Sequence, residues 1–266
     1  MSDSEKINLL STSIMITEFC DLKCKLCLAY IPYYKEHKHM EVEEIKKMLE
    51  KFFKIVNTVD KMSITGGEPL LHPDFCTILD EILKYANRIN KEIIVITNGT
   101  IEFTDRIINS LKKDSKIKVI VNNYEEYSIY AKANYENLLK HHINAILYTE
   151  DNRYGWIDCR DHSLKHINVD AREKQASQCA FFCGKKYVIK RGKLHTCTRS
   201  AYRIQENIIP YSKVDYIDLL DDSQGVEQSK KILNNLLNAK STTSCAYCDG
   251  LTEQSIKYKA AEQLER

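Results

Sequence analysis

The chain has no run of residues apolar for long enough to cross a bilayer, and its opening Met-Ser-Asp-Ser-Glu-Lys lacks the apolar stretch of a signal peptide. Membrane-embedded and secreted classes are disfavoured, and a cytoplasmic location is expected. An excess of either charge is also missing: 39 Lys and Arg face 37 Asp and Glu, a formal +2. So mild a field gives no reason to expect nucleic acid or an anionic membrane as a partner. No internal repeat, low-complexity tract or basic glycine-rich phosphate loop is present. The 266 residues suffice for one α/β domain of roughly 200 to 250 residues with a small appendage, and no added recognition domain is expected before the first strand.

What the chain does have is cysteine, ten in all and several closely spaced. In a reducing compartment, clustered cysteines bind metal more often than they cross-link. Cys20, Cys24 and Cys27 lie within Thr17-Glu-Phe-Cys-Asp-Leu-Lys-Cys-Lys-Leu-Cys-Leu-Ala-Tyr30. Structural zinc and all-cysteine iron-sulfur clusters each want four protein ligands, so a trio leaves one position open for chemistry. A distant histidine, His37 or His39, could instead close a zinc site.

Hydrophobic periodicity places the trio on a scaffold. Ser13–Thr17 is short, apolar and β-prone, and between Glu41 and Val56 apolar residues recur at three and four, the stripe of an amphipathic helix. Three further units follow: strand Met62–Thr65 with a helix through Phe75 to Ala86, strand Ile93–Thr97 with a helix capped by Thr104, and strand Ile117–Val121 with a helix over about Tyr127 to His141. Ala145–Tyr148 reads as a fifth strand. Alternating buried strands and helices predict a parallel α/β sheet, and five units are too few to close an eight-stranded barrel. The expected fold is an open, partial (β/α)5-6 barrel whose site lies at the carboxyl ends of its strands. Residues 150 to 178 show no clean period. Tyr187–Lys190 and Lys193–Thr196 flank Arg191-Gly192 as a β-hairpin, and helices are expected near Val226 to Ala239 and from about Leu251 to the end.

The C-x-x-x-C-x-x-C loop resembles that of the radical S-adenosylmethionine (SAM) superfamily. The resemblance implies that Cys20, Cys24 and Cys27 hold three irons of a [4Fe-4S] cluster, with SAM on the fourth. Gly66-Gly67-Glu68-Pro69, about forty residues further on, resembles the family's SAM-binding loop. Glycine there permits close backbone approach, and bare carbonyls can accept from an ammonium group. Leu26 then stands where an apolar residue meets adenine. Thr97 and Asn98 after the third strand, and Asn122 after the fourth, offer hydroxyl and amide groups to ribose or carboxylate.

A second group, Cys179, Cys197, Cys245 and Cys248, pairs a hairpin with a remote C-x-x-C and resembles the auxiliary-cluster module called twitch, a shortened SPASM domain. This divides the chain into 1–170, the partial barrel, and 171–266, a small C-terminal module of β-hairpin plus helix with a second [4Fe-4S] cluster. A four-cysteine zinc ribbon has the same spacing and stays open. The layout is similar to the 2-deoxy-scyllo-inosamine dehydrogenases, and His195 to Ala201 resembles a stretch of radical SAM proteins of surface-polysaccharide synthesis. Together they imply an oxidoreductase that uses a 5'-deoxyadenosyl radical to take hydrogen from a sugar, aminocyclitol or nucleotide sugar, oxidising a secondary alcohol to a ketone. Reduction would come from a flavodoxin- or ferredoxin-type donor. Arg153 matches a substrate-contacting arginine, suited to orienting an oxyanion. Tyr124, Tyr154, Trp156 and Arg199 could supply stacking faces and phosphate contacts. Cys76 sits on an apolar helix face and reads as core, whereas Cys159 or Cys183 could return a hydrogen atom and make the enzyme an epimerase of a sugar or peptide. A zinc-stabilised, non-catalytic binding module is the remaining alternative.

Overall fold

The computed structural model describes residues 6–152, 155–210 and 215–265. Its strands are β1 (Asn8–Thr17), β2 (Thr58–Gly66), β3 (Ile89–Thr97), β4 (Ile117–Asn122), β5 (Asn144–Tyr148), β6 (Lys186–Lys190), β7 (Lys193–His195) and β8 (Tyr216–Asp218). Its helices are α1 (Val42–Ile55), α2 (Phe75–Leu83), α3 (Asp105–Leu111), α4 (Ala131–Lys140), α5 (Val169–Gln178), the single turn α6 (Ala180–Cys183), α7 (Thr198–Gln205) and α8 (Val226–Asn238). The strands form one open sheet in the order β5-β4-β3-β2-β1-β6-β7-β8. From β5 to β6 all neighbours are parallel, while the β6–β7 and β7–β8 pairings are antiparallel, so that β7 runs against the rest. The partial barrel is thus present, and the hairpin extends its sheet: Met15 of β1 pairs with Lys190 of β6. Helix α5 runs across residues 170 and 171.

Local sequence explains most boundaries. The Glu44 carboxylate at the start of α1 accepts from the Glu41 N–H at 3.0 Å, and the Thr104 hydroxyl accepts from the Ile107 N–H at the start of α3. In the β6–β7 link, Arg191 and Gly192 both have positive φ, 44° and 74°, as a tight two-residue hairpin demands. Helix α4 begins at Ala131 rather than near Tyr127, because Glu125–Tyr127 forms a separate 3-10 turn whose Ser128 side chain accepts from the Tyr124 N–H. The helix expected from Leu251 does not form. There the backbone bonds to distant chain instead, Tyr258 with Trp156 and Leu264 with Lys23.

Strand alternation sorts the sheet into two unlike faces. Ile14, Ile16, Met62, Ile64, Ile93, Val95, Val119, Val121 and Ile189 enter one continuous core with Ile45, Met48, Leu49 and Phe52 of α1 and Ile78, Leu79 and Ile82 of α2. The opposite face carries Ser13, Ser63, Thr65, Ile96, Ile120 and Asn122, most of them only half-buried. Lower on that face Glu92 bridges Lys61 at 2.7 Å and Lys118 at 3.0 Å. A parallel sheet covered on both sides would be apolar on both. This one is partly polar on its second face.

Phe52 is fully buried and meets Phe53 edge to face at 5.0 Å. Phe52→Ala should cost about 3–5 kcal/mol of stability, lowering the urea midpoint of the metal-free protein with little change in slope. A loss below about 1 kcal/mol would mean the core can collapse around the void.

Candidate active site

The first cysteine loop leaves β1 at Thr17 and is gripped from two sides. From β2, the Gly67 N–H donates to Thr17 O and the Glu68 N–H to Phe19 O, both at 2.9 Å. From the far end of the chain, Lys25 N–H donates to Glu262 O at 2.7 Å, Leu264 N–H to Lys23 O at 2.8 Å, and Gln263 Nε2 lies 3.4 Å from Cys24 Sγ. Sequence reasoning missed this strap. Cys24 and Leu26 are buried, while Cys20 and Cys27 are half-buried.

The two glycines of the G-G-E-P loop serve this grip. A Cβ on Gly66 would stand 2.5 Å from Thr17 O, and one on Gly67 would stand 2.2 Å from Phe19 O and 2.8 Å from Cys20 Cβ. The close approach is therefore to the cysteine loop itself. Pro69, also buried, opens the 3-10 turn Pro69–Leu71. Glu68 is fully buried, and its carboxylate accepts from the Leu70 N–H at 3.1 Å and the Asn98 N–H at 2.7 Å. It locks the second loop to the third. Asn98 donates to Asp21 Oδ1 at 2.9 Å and reaches Cys20 Sγ at 3.8 Å, the Thr97 hydroxyl accepts from the Gly99 N–H, and Asn122 Nδ2 donates to Thr97 O. The residues expected from four separate strand ends thus share one network around Cys20. Arg153 and Tyr154 lie outside the described residues.

The second group also converges. Cys179, Cys197, Cys245 and Cys248 line one small cavity together with Phe181, Arg199, Arg203 and Ser244. Cys179 joins α5 to α6, Cys197 caps α7, and the other two sit in and just after the 3-10 turn Thr243–Tyr247. Arg199, offered by the sequence as a phosphate contact, is 2% exposed and faces thiols instead, with Nη1 at 3.5 Å from Cys159 Sγ and Nη2 at 3.8 Å from Cys179 Sγ. Arg203, fully buried, donates from Nε to His162 Nδ1 at 3.1 Å and from Nη1 to Ser244 O at 3.1 Å. Between the two groups lies a cluster of Met15, Tyr30, Tyr34, Val188 and Tyr202, against which Cys20, Cys27 and Cys159 pack. Tyr30 stacks on Tyr202 at 4.3 Å and donates to Cys159 O at 2.6 Å. Cys76 is buried in the main core, and Cys183 is exposed, its thiol turned to Ala176 O and Ser177 O.

Donor chemistry favours a soft metal at both places. Burial pushes the Cys20 and Cys27 thiols up and Cys24 up to about 12, so each would keep its proton unless a cation joined it. Burial also opposes ionisation of Cys248, but Arg199 and Arg203 outweigh it and hold that thiol below its usual range. Thiol-only sets suit zinc or iron-sulfur clusters. Among the described residues, no three His, Cys, Asp or Glu side chains close around a point as a single ion requires. His37 and His39, the alternative zinc ligands, are engaged elsewhere, with Ile31 O and the Thr17 hydroxyl at 2.8 Å each.

Burial pushes the Glu68 carboxyl up from 4.5 to about 7, against the pull of its two backbone N–H donors. An acid raised on folding binds its proton more tightly in the folded state, so its stabilisation is whole below pH 4.5 and is lost as pH rises through about 7. Urea unfolding of the metal-free protein should show up to about 3 kcal/mol of such loss across that window, and Glu68→Gln should remove it. Equal slopes in the two proteins would mean that Glu68 is charged throughout.

Comparison with known proteins agrees with this layout. The model of the radical SAM superfamily matches residues 14–151. The S-adenosylmethionine-dependent nucleotide dehydratase of Selenomonas ruminantium is 28% identical over 96 residues, covering 36% of this chain and 32% of that protein. The GTP 3',8-cyclase of Lactiplantibacillus plantarum is 32% identical over 102 residues, covering 38% and 29%. The chain thus spans about a third of the length of these relatives. Among solved structures, BtrN in complex with AdoMet and 2-DOIA superposes with a TM-score of 0.54 at 15% identity, over 96% of this chain and 99% of that one. Native anSMEcpe with bound AdoMet gives 0.55 at 13%, over 95% and 93%. At such identities these two likenesses concern the fold. The family match, which takes in more than half of the 266 residues and runs from the last residues of β1 through β5, makes this chain a member of the radical SAM superfamily.

Proposed function

We propose that this chain is a radical SAM oxidoreductase that converts a secondary alcohol of a small, carbohydrate-like substrate into a ketone. Residues 1–170 would carry a [4Fe-4S] cluster on Cys20, Cys24 and Cys27, with SAM between the G-G-E-P loop and Thr97, Asn98 and Asn122. Residues 171–266 would carry a second cluster on Cys179, Cys197, Cys245 and Cys248. The observation that supports this reading is that four cysteines spread over seventy residues line a single cavity, beside a cleft that reaches the first loop.

That cleft, of about 610 Å³, is bounded by Leu28 next to Cys27 and by Ala180 and Phe181 next to Cys179. Its size suits a small molecule. Trp156 and Phe181 offer flat apolar faces to a ring, and Gln178, Lys186, Thr252 and Glu253 offer polar groups to hydroxyls. Arg153, two residues before Gly155 of the cleft, would orient the reacting oxygen. Oxidising an alcohol to a ketone removes a hydrogen atom from carbon, then a proton from oxygen and one further electron. When bound, the first cluster with SAM would supply the hydrogen abstraction and an all-cysteine second cluster an acceptor for that electron. The chain's own part is to hold the carbon near the first loop and keep the substrate shielded from water. A flavodoxin- or ferredoxin-type protein would supply the reducing electron, in the cytoplasm.

One observation favours a second reading. Cys159 lies in the packed region between the cysteine groups, where a thiol could hand back a hydrogen atom and make the enzyme an epimerase. Cys183, exposed and lining a separate surface hollow, is a poor candidate for that role.

Anaerobic reconstitution should load about eight irons per chain, falling to about four in a Cys20→Ala, Cys24→Ala, Cys27→Ala triple variant. The wild type should then release 5'-deoxyadenosine with ketone formation when the right sugar or cyclitol is supplied. Zinc near one per chain, with all iron lost in the variant, would sink the dehydrogenase. If Cys159→Ala abolishes turnover and the wild-type product is an epimer, the second reading replaces the first.

A further inference from the structure

Helix α7 carries two buried cations that the reaction scheme does not use. Arg199 and Arg203 are four residues apart, so they share one face of the helix, and both line the four-cysteine cavity. Among the described residues neither forms an ion pair with a carboxylate. Each also has a buried nitrogen without a partner, Nε of Arg199 and Nη2 of Arg203. Arg199 sits moreover in the first turn of α7, where the helix dipole already disfavours positive charge. A guanidinium cannot relieve its burial by losing a proton, and neutral thiols do not balance it. The cavity must therefore hold negative charge when it is filled.

We propose that Arg199 and Arg203 are the fixed counter-cations of an iron-sulfur cluster held by Cys179, Cys197, Cys245 and Cys248, and that they raise its reduction potential. The proposal rests on the second-cluster reading above. Four thiolates around an oxidised cubane leave a charge of about −2, which two guanidinium groups cancel. A reduced cluster carries one more negative charge, so the same cations stabilise the reduced form more strongly than the oxidised form. That tunes the centre towards accepting an electron. Arg199 also reaches Cys159 Sγ, so the positive charge extends from the cavity towards the packed region beside the first loop. Both arginines act here as positioning residues, through the cluster and not on the substrate.

The test is an anaerobic redox titration followed by electron paramagnetic resonance, with iron and zinc counted in the same samples. Wild type, Arg203→Met, Arg203→Lys and Arg199→Met are compared. Two couples are expected in the wild type, and each Met variant should move the second couple to lower potential while the first stays put. Arg203→Lys, which keeps the charge, should restore the wild-type value. Should Arg203→Met fail to hold its second cluster, retention of about eight irons by Arg203→Lys would support the charge role, and loss of iron in both would overturn it. Two couples that no Met variant moves would refute the tuning while leaving the second cluster intact. A wild type with one couple and one zinc would end the second-cluster reading, and this proposal with it.

Discussion

Everything at the upper end of this sheet depends on a backbone contact that two absent Cβ atoms allow. Gly66 and Gly67 let the end of β2 lie against Thr17, Phe19 and Cys20 closely enough for two N–H to carbonyl bonds at 2.9 Å. Without that contact the first cysteine loop would be tied only to β1 and to the strap from the far end of the chain, its own internal bonds being short turns such as Cys27 N–H to Cys24 O. With it, the loop inherits the rigidity of the parallel sheet beneath. The ligand set proposed for the first cluster would gain most from such support, because thiols held in place need not be ordered when a cluster binds.

Buried carboxyl groups carry the same order sideways. Glu68 passes it to β3 through the Asn98 N–H, and Asn98 returns it to Asp21 and Cys20. On the other flank Glu18, 2% exposed, meets Lys190 at 3.0 Å and Arg191 at 2.6 Å, pinning the hairpin turn to the start of the cysteine loop. Burial alone would raise the Glu18 carboxyl, but Arg191 and Lys190 hold it below the usual carboxylate range. Removing one member of such a group would strand the others, so the β1–β6 seam and the cysteine loop stand or fall together.

The two faces of the sheet explain how one domain can be both stable and open. Helices α1 and α2 cover the face of Ile14, Ile64, Ile93 and Val95, and supply the core. The other face keeps serines, threonines and an ion-paired Lys-Glu-Lys row, which water can satisfy when no ligand is present. The stretch Lys61-Met-Ser-Ile-Thr65 already shows this alternation, with Met62 and Ile64 set between Lys61, Ser63 and Thr65.

Local physics made much of this protein readable from its residues alone. The strand-helix rhythm, the Thr104 cap, the Arg191-Gly192 hairpin, the cysteine spacings and the G-G-E-P loop all lie within short windows, where period, capping and ligand spacing act directly. What only the tertiary structure decided are contacts made across the chain. The segment after Leu251 has helix-like spacing but becomes a strap, because its N–H groups find Lys23 and Trp156; the Lys23 to Gln263 bond spans 240 positions. Arg199 reads as a phosphate contact until folding buries it among thiols drawn from four separate segments. Cys159 and Cys183 look alike in sequence, and packing alone sets one between the two cysteine groups and the other at the surface. Pairing over such distances depends on the whole sheet closing in register, a property that no short window of sequence contains.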